Sequence, residues 1–348
     1  MSEYHVVGVM SGSSLDGLDI CACHFVKRQK WSFQIMATQT IPIPDPIKHR
    51  LKGSDELSTE ELDKLDVDYG EWIATTLEAW LIDQKLKPEL IGIHGHTVFH
   101  DPSQKVSLQL GNGRLISKRL RVSVVDNFRV ADILNGGQGA PLVPVGEHYL
   151  FSGYRGFINL GGIANIALHK HQITAWDIAP CNQVLNFFAE KCGLPFDESG
   201  LLAREGKIDQ KWIAYLHSLK YFYQKPPKSL SNQWTQQVLK THPSDPKDGL
   251  ASYCSFLSSE IAKALEPNAQ IMVTGGGAHN LTLMEMIRSQ SPGNCEIVVP
   301  DIQLVEFKEA LVFGFLAVLR KLNIPNVFAS VTGAQEDTVS GDLHLPVS

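Results

Sequence analysis

The residues with the clearest capacity for chemistry stand near the start of the chain, at Ser11-Gly12-Ser13-Ser14-Leu15-Asp16-Gly17-Leu18-Asp19. An apolar run, Val6 to Met10, precedes them and a β-type run, Leu18 to Val26, follows. This pattern predicts strand, tight turn, strand. Glycines at 12 and 17 admit positive φ and close approach of another group. The amide N–H groups of such a turn converge on one concavity, which suits a phosphate, and the hydroxyls of Ser11, Ser13 and Ser14 are further donors. Asp16 and Asp19 would repel a phosphate unless a cation such as Mg²⁺, held through water, lies between. No Gly-Lys-Ser/Thr follows, so this is not a P-loop. A strand rather than a helix follows, so it is not the dinucleotide G-x-G-x-x-G either. The same residues also suit an ordinary hairpin with a polar loop.

Other candidates are spread along the chain. His94-Gly95-His96-Thr97 ends the apolar run Leu90–Ile93. Two histidines at i and i+2 of a strand share a face, but the sequence supplies no third metal ligand. Polar groups at a strand's carboxyl end more often meet a substrate. Arg129, in Asp126–Asp132, suits a two-point clamp on a carboxylate or phosphate, and equally a surface ion pair. Phe157 to Leu168, containing Gly161, Gly162 and Asn165, repeats the opening pattern of strand, small-residue turn and strand. Two such turns facing each other across a cleft would hold a polyphosphate from both sides. Gly275-Gly276-Gly277 joins the strand Gln270–Thr274 to a helix from about Asn280; it would let a flat ring approach the backbone, or serve only as a tight connection. Glu309 lies among apolar neighbours in a helix expected from about Leu304 to Leu322.

The elements that must position these groups are largely readable. Trp31 to Ile41 offers a third antiparallel strand, broken by Pro42, Pro44 and Pro46. Ser58 and Glu61 form a capping-box pair before a helix running to about Lys85, with Leu62, Leu65, Tyr69, Trp72, Ile73, Leu77 and Trp80 at the spacing of one buried face. A length of 348 residues suggests two domains. The boundary belongs just after the stretch Leu134–Pro144, dense in glycine and proline: a first lobe over 1–147, with 328–348 packing back on it, and a second over 148–327. Tyr221 to Lys247 has four prolines and little periodicity, and Pro226-Pro227-Lys228-Ser229 within it reads as an exposed loop. With 43% hydrophobic residues and a formal charge of -6, the chain has enough apolar content for full cores and does not favour a nucleic-acid partner. Six scattered cysteines without a C-x-x-C argue against zinc. No signal-peptide pattern and no apolar run of membrane-spanning length is present, so the expectation is a cytoplasmic protein without a membrane partner.

Taken in order, these motifs resemble those of the anhydro-N-acetylmuramic acid kinases. The opening is similar to the family's G-x-M-S-G-T-S-x-D-G-x-D. It is followed by H-G-H-T at 94–97, G-G-Q-G-A-P-L-V-P at 136–144, N-L-G-G-I-A-N at 159–165, D-x-x-P-x-N at 177–182, P-P-K-S at 226–229, T-G-G-G-A-H-N at 274–280, E-A at 309–310 and S-V-T-G-A at 330–334. The resemblance implies an α/β fold of two ribonuclease-H-like lobes, as in actin-like ATPases, around a nucleotide cleft. It also implies a homodimer that uses ATP and Mg²⁺ to open the 1,6-anhydro ring of the sugar and phosphorylate O6, in cell-wall recycling. On the same basis Gly12, Ser13, Ser14, Leu15, Asp16, Gly17, Leu18 and Asp19 would bind the ATP phosphates, with Asp16 and Asp19 nearest the metal. Gly161, Gly162 and Asn165 would face them, and Gly275, Gly276 and Gly277 would lie against the adenosine. Asp177 would be the catalytic base, which the residues alone also allow to be a helix cap. Glu309 would stand near the sugar and the attacking water, and Thr97, Arg129 and Asp132 near the sugar.

The chain departs from the family in two loops. Asp177 is followed by Ile178-Ala179-Pro180-Cys181-Asn182 where T-G-P-G-N is usual, and Ser229 by Leu230-Ser231-Asn232-Gln233 where T-G-R-E is usual. These changes keep open a different anhydro-sugar, such as levoglucosan, or a nucleotide-binding regulator or Hsp70-like ATPase without sugar chemistry.

Overall fold

The computed structural model describes residues 1–12, 15, 17–226, 228–230 and 233–346. Ser13, Ser14 and Asp16 of the opening loop, and Ser231 and Asn232 of the departing loop, lie outside the described residues. The chain divides into two compact units, Met1–Phe151 with Phe307–Ser348, and Ser152–Glu306.

In the first unit β1 (Ser2–Ser11), β2 (Leu18–Lys27) and β3 (Trp31–Ile41) form an antiparallel meander. Next to β1 lies β4 (Leu90–Ile93), parallel to it. A separate hairpin, β5 (His96–Asp101) and β6 (Val106–Leu110), leads to β7 (Ser123–Asp126), parallel to β4. The second unit repeats this plan. An antiparallel meander of β8 (Gly156–Leu160), β9 (Ile163–His169) and β10 (Ile173–Pro180) is followed by β11 (Gln270–Thr274) and β12 (Glu296–Val298), both parallel to β8. A last strand, β13 (Asp342–His344), returns antiparallel to β7. The sheets read β3-β2-β1-β4-β7-β13 and β10-β9-β8-β11-β12, and apart from β13 the two orders match strand for strand. This is one ribonuclease-H-like order used twice, and the α/β class expected from the sequence is the class the chain adopts.

The central strands are apolar where both faces are covered; Val6, Val7 and Val9 of β1 and all of β4 are buried. One face of the first sheet is covered by the helix Thr59–Asp83, whose buried stripe runs from Leu62 through Tyr69, Ile73 and Leu77 to Trp80. Its start is the capping box read from the sequence: Glu61 N–H donates to Ser58 Oγ, and Ser58 N–H to Glu61. The helix Ile302–Lys321 packs against the same sheet at Gly8 and Gly92. A methyl at Gly8 would stand 1.7 Å from the carbonyl oxygen of Ala310, and one at Gly92 would stand 2.3 Å from that of Phe313. The division therefore falls at Glu306, not at 327. This helix, which the sequence reading kept in the second lobe, belongs with the first sheet from Phe307 onward.

Two local expectations change. The prolines after β3 do end the strand, but Pro46 occupies the first turn of a helix, Asp45–Lys52, where its missing N–H is not needed. The segment 221–247, whose sequence shows little periodicity, includes helical turns at Lys220–Tyr223 and Gln233–Val238.

Because Gly8 meets backbone rather than a yielding side chain, Gly8→Ala should destabilise the protein by about 3 kcal/mol or more. Gly53→Ala, whose methyl would meet nothing within 4 Å, should change stability by less than about 0.5 kcal/mol. Urea unfolding followed by circular dichroism measures both.

Candidate active site

In the first unit, the turn after β1 is closed by Leu15 N–H donating to the Gly12 carbonyl at 3.1 Å, with Leu15 in the left-handed region at φ 57°. Leu15 and Leu18 are buried in the core beneath it, so they can offer a ligand only their backbone. Gly17 packs against Thr40. Asp19 lies opposite Met10 on β1 and Thr40 on β3, and the Thr40 hydroxyl donates to its Oδ1 at 2.6 Å. Ser11 is buried at the end of β1 and accepts a 2.8 Å hydrogen bond from the Tyr69 hydroxyl. Sequence reasoning treated Tyr69 only as a core residue, and a tyrosine on a buried helix stripe carries no signal of such a partner.

A polar cluster forms at the carboxyl ends of β1 and β4. His94 follows β4 and donates its backbone N–H to Val9. Gly95, at φ 77°, turns the chain there, and a Cβ on it would meet the Leu110 carbonyl oxygen at 2.3 Å. The turn delivers Thr97 to β5, half-buried, beside a bulge between Thr97 and Phe99. Arg129 Nη1 donates to the Gly139 carbonyl at 2.7 Å, and Nη2 lies 2.7 Å from His94 Nε2. Burial brings the Arg129 guanidinium down to about 10, against the opposing pull of Glu309. Glu309 is itself pushed up by burial, while Lys308 and Arg129 draw it down and Asp19 and Glu147 push it up. Glu309 thus feels the charges of both Arg129 and Asp19. Next to them is a buried ion pair, Lys308 Nζ to Glu147 Oε1 at 2.8 Å. Asp132 is fully buried: its oxygens accept from the Gly139 N–H and the Thr332 hydroxyl, both at 2.7 Å. It thereby braces the 136–139 loop on which Arg129 rests.

In the second unit, the turn Gly161–Gly162 carries the start of the helix Asn182–Lys191. Cys181 N–H donates to the Gly162 carbonyl, and Asn182 N–H to that of Gly161. The Asn182 side chain donates to the Leu160 carbonyl at 3.0 Å and packs against Gly276 and Gly277. Gly275, at φ 85°, has no room for a Cβ, which would stand 2.5 Å from Asn159 Oδ1. The two glycine segments of this unit thus share one packed junction.

Asp177 lies directly opposite Asn165, and Asn165 opposite Asn159. Directly paired residues point to one face, so Asp177 and Asn165 are neighbours there. Asp177 is held on several sides by the 221–230 segment. Its N–H donates to the Lys228 carbonyl, its carbonyl accepts from the Tyr221 hydroxyl at 2.6 Å, and Oδ2 accepts from Leu230 N–H at 2.8 Å. Lys228 folds back with its ammonium 4.3 Å from the centre of the Tyr221 ring. The Asp177 carboxyl is half-buried. Burial raises its pKa, and the Leu230 N–H partly offsets the rise. A fixed carboxylate whose pKa is moved toward neutrality suits a general base.

A family model described as anhydro-N-acetylmuramic acid kinase matches residues 4–345. An anhydro-N-acetylmuramic acid kinase of Acaryochloris marina is 32% identical, covering 98% of this chain and 100% of that protein. One of Gloeothece citriformis is also 32% identical, covering 99% of each. Among solved structures, component A of the (R)-2-hydroxyglutaryl-CoA dehydratase of Acidaminococcus fermentans matches at 12% identity over 90% of this chain and 97% of that one, with a TM-score of 0.47; it adds nothing to the assignment.

The raised pKa of Asp177 has a sign that can be checked. A carboxyl whose folded pKa lies above its unfolded value favours folding below the unfolded pKa, and that contribution is lost as pH rises through the folded one. Asp177→Asn, which keeps the shape without the charge, should therefore melt at a higher temperature than the parent at pH 7. The gap should close below about pH 4, where both carry a neutral side chain. Thermal melts at the two pH values test this.

Proposed function

The chain belongs to the anhydro-N-acetylmuramic acid kinase family, and from that premise we propose that it opens the 1,6-anhydro bond of anhydro-N-acetylmuramic acid with water and transfers the γ-phosphoryl group of ATP to O6, giving N-acetylmuramic acid 6-phosphate in peptidoglycan recycling. Asp177 takes a proton from the water that attacks the anomeric carbon. The C1–O6 bond breaks, O6 accepts the phosphoryl group, and ADP leaves. The observation that carries this role is the Asp177 carboxylate itself: accessible, oriented through Oδ2, with a raised pKa. Positioning accounts for much of the acceleration in such a transfer.

The other roles follow the same reading. The backbone of Gly12 to Asp19 cradles the phosphates, with the hydroxyls of Ser13 and Ser14 as donors. Gly161, Gly162 and Asn165 are further ATP-binding residues, and Gly275 to Gly277 give the adenosine a side-chain-free backbone. Glu309 orients the water and the sugar. Thr97 and Arg129 bind the sugar, with Arg129 pairing its lactyl carboxylate, and Asp132 supports Arg129.

Mg²⁺ at such sites is usually held by one or two carboxylates together with the phosphates. Asp19 at the start of β2 fits that mode, and Asp16 is its proposed companion; no cluster of three acids, histidines or cysteines is required, and none is found among the described residues. The bound ion supplies charge neutralisation on the transferring phosphoryl group. We place the reaction in the cytoplasm and the working form as a homodimer, on the family resemblance. No described helix is long and apolar enough to cross a membrane.

With Mg·ATP and the anhydro-sugar, ADP and a sugar 6-phosphate should form together, and Asp177→Asn should lower kcat by about 10²–10⁴-fold with ATP binding retained. Full turnover by that variant removes Asp177 from the base role. Consumption of levoglucosan in place of the muramic sugar, or ATP binding without use of either, overturns the substrate or the activity.

A further inference from the structure

Arginine has five N–H donors and no acceptor. In the contact between Arg129 Nη2 and His94 Nε2, at 2.7 Å, the histidine must therefore be the acceptor. His94 Nδ1 is 2.8 Å from the Gly95 carbonyl oxygen, which can only accept, so Nδ1 carries the proton and Nε2 is bare. The imidazole is buried and lies tilted against Phe313, with ring centroids 4.6 Å apart. Burial and the adjacent guanidinium hold its pKa well below the ordinary histidine range. His94 is thus a permanent neutral acceptor, fixed in one tautomer by the turn at Gly95. With the Gly139 carbonyl on Nη1, both terminal nitrogens of Arg129 are tied to the protein by one hydrogen bond each. That fixes the guanidinium plane and leaves one N–H on each terminal nitrogen to meet a further acceptor. Arg129 Nε is buried and has no hydrogen-bond partner among the described residues, so the bonds at Nη1 and Nη2 are the ones that orient the side chain there.

We propose that His94 is a positioning residue that determines selectivity: its Nε2 aims Arg129 at the carboxylate of the sugar, so that a sugar bearing that carboxylate is preferred over one lacking it. This rests on the reading that Arg129 pairs the sugar's carboxylate. The metal-pair alternative for His94 and His96 does not apply, since His94 Nε2 is already engaged by a cation.

Two near-isosteric variants separate the two ring nitrogens. His94→Gln puts an oxygen where Nε2 stands, and His94→Asn keeps a donor where Nδ1 stands but has nothing at Nε2. KM and kcat are measured at saturating ATP for 1,6-anhydro-N-acetylmuramic acid and for 1,6-anhydro-N-acetylglucosamine, which lacks the lactyl carboxylate; Arg129→Met is run in parallel. His94→Asn should raise KM for the carboxylate sugar about tenfold, leaving its kcat, the KM for ATP and the KM for the other sugar within about twofold, while His94→Gln should retain most of the preference. If His94→Asn keeps the preference that Arg129→Met loses, or if Asn retains it and Gln loses it, the positioning role is overturned with the reading of Arg129 intact. If Arg129→Met itself leaves the preference unchanged, the reading of Arg129 is what fails.

Discussion

The first unit depends on a contact in which there is no side chain. Gly8 and Gly92 sit on adjacent parallel strands and let the helix Ile302–Lys321 lie with its carbonyls almost on the sheet. Any side chain there would lift the helix by more than the packing tolerates. The consequence reaches the chemistry because the touching residues, Ala310 and Phe313, lie next to those that matter. Glu309 precedes Ala310, and the Phe313 ring supports His94, which holds Arg129. A dispersion contact between backbones thus bears on the height of the carboxylate and, through the Phe313 ring and His94, on that of the guanidinium.

The two units show how one scaffold carries different groups at matched positions. In each, the second strand begins just after a glycine turn, and its early residue faces the penultimate residue of the first strand: Asp19 faces Met10, and Asn165 faces Asn159. On the third strand the counterparts are Thr40, opposite Asp19, and Asp177, opposite Asn165. The first unit therefore has its acid on the second strand with a hydroxyl beside it. The second has a neutral amide there and its acid one strand further out. The charges are exchanged between equivalent places while the backbone plan is kept. Asn165 can thus lie beside Asp177 without the repulsion that a second carboxylate would bring.

Much of this was legible in the residues, and the parts that were not share a cause. The capping box at Ser58 and Glu61, the buried stripe of the helix they begin, and the β4 run Leu90–Ile93 are local patterns and appear as read. The helix Asp45–Lys52 was hidden because proline ends a strand and opens a helix with equal ease, and only what it packs against distinguishes the two. Among site residues, Asp177 and Asn165 could be named from motifs, but their register could not, since it depends on pairing across two hairpins. Leu15 and Leu18 stand in a motif that suggests ligand contact, yet their side chains are core, because a turn that offers its amides outward turns its apolar residues inward. Asp132 is likewise an internal brace, a role set by Thr332, two hundred residues away, which local composition does not reveal.

The segment around Asp177 departs from its relatives in letters, and the structure explains why such drift is tolerable. Two of the three contacts that seat the acid, from Leu230 N–H and to the Lys228 carbonyl, are made by peptide groups, which every residue except proline brings in full. Asp177 is thus anchored to the path of the chain more than to its alphabet. Any residue but proline at 230, and any residue at all at 228, supplies the same two peptide groups.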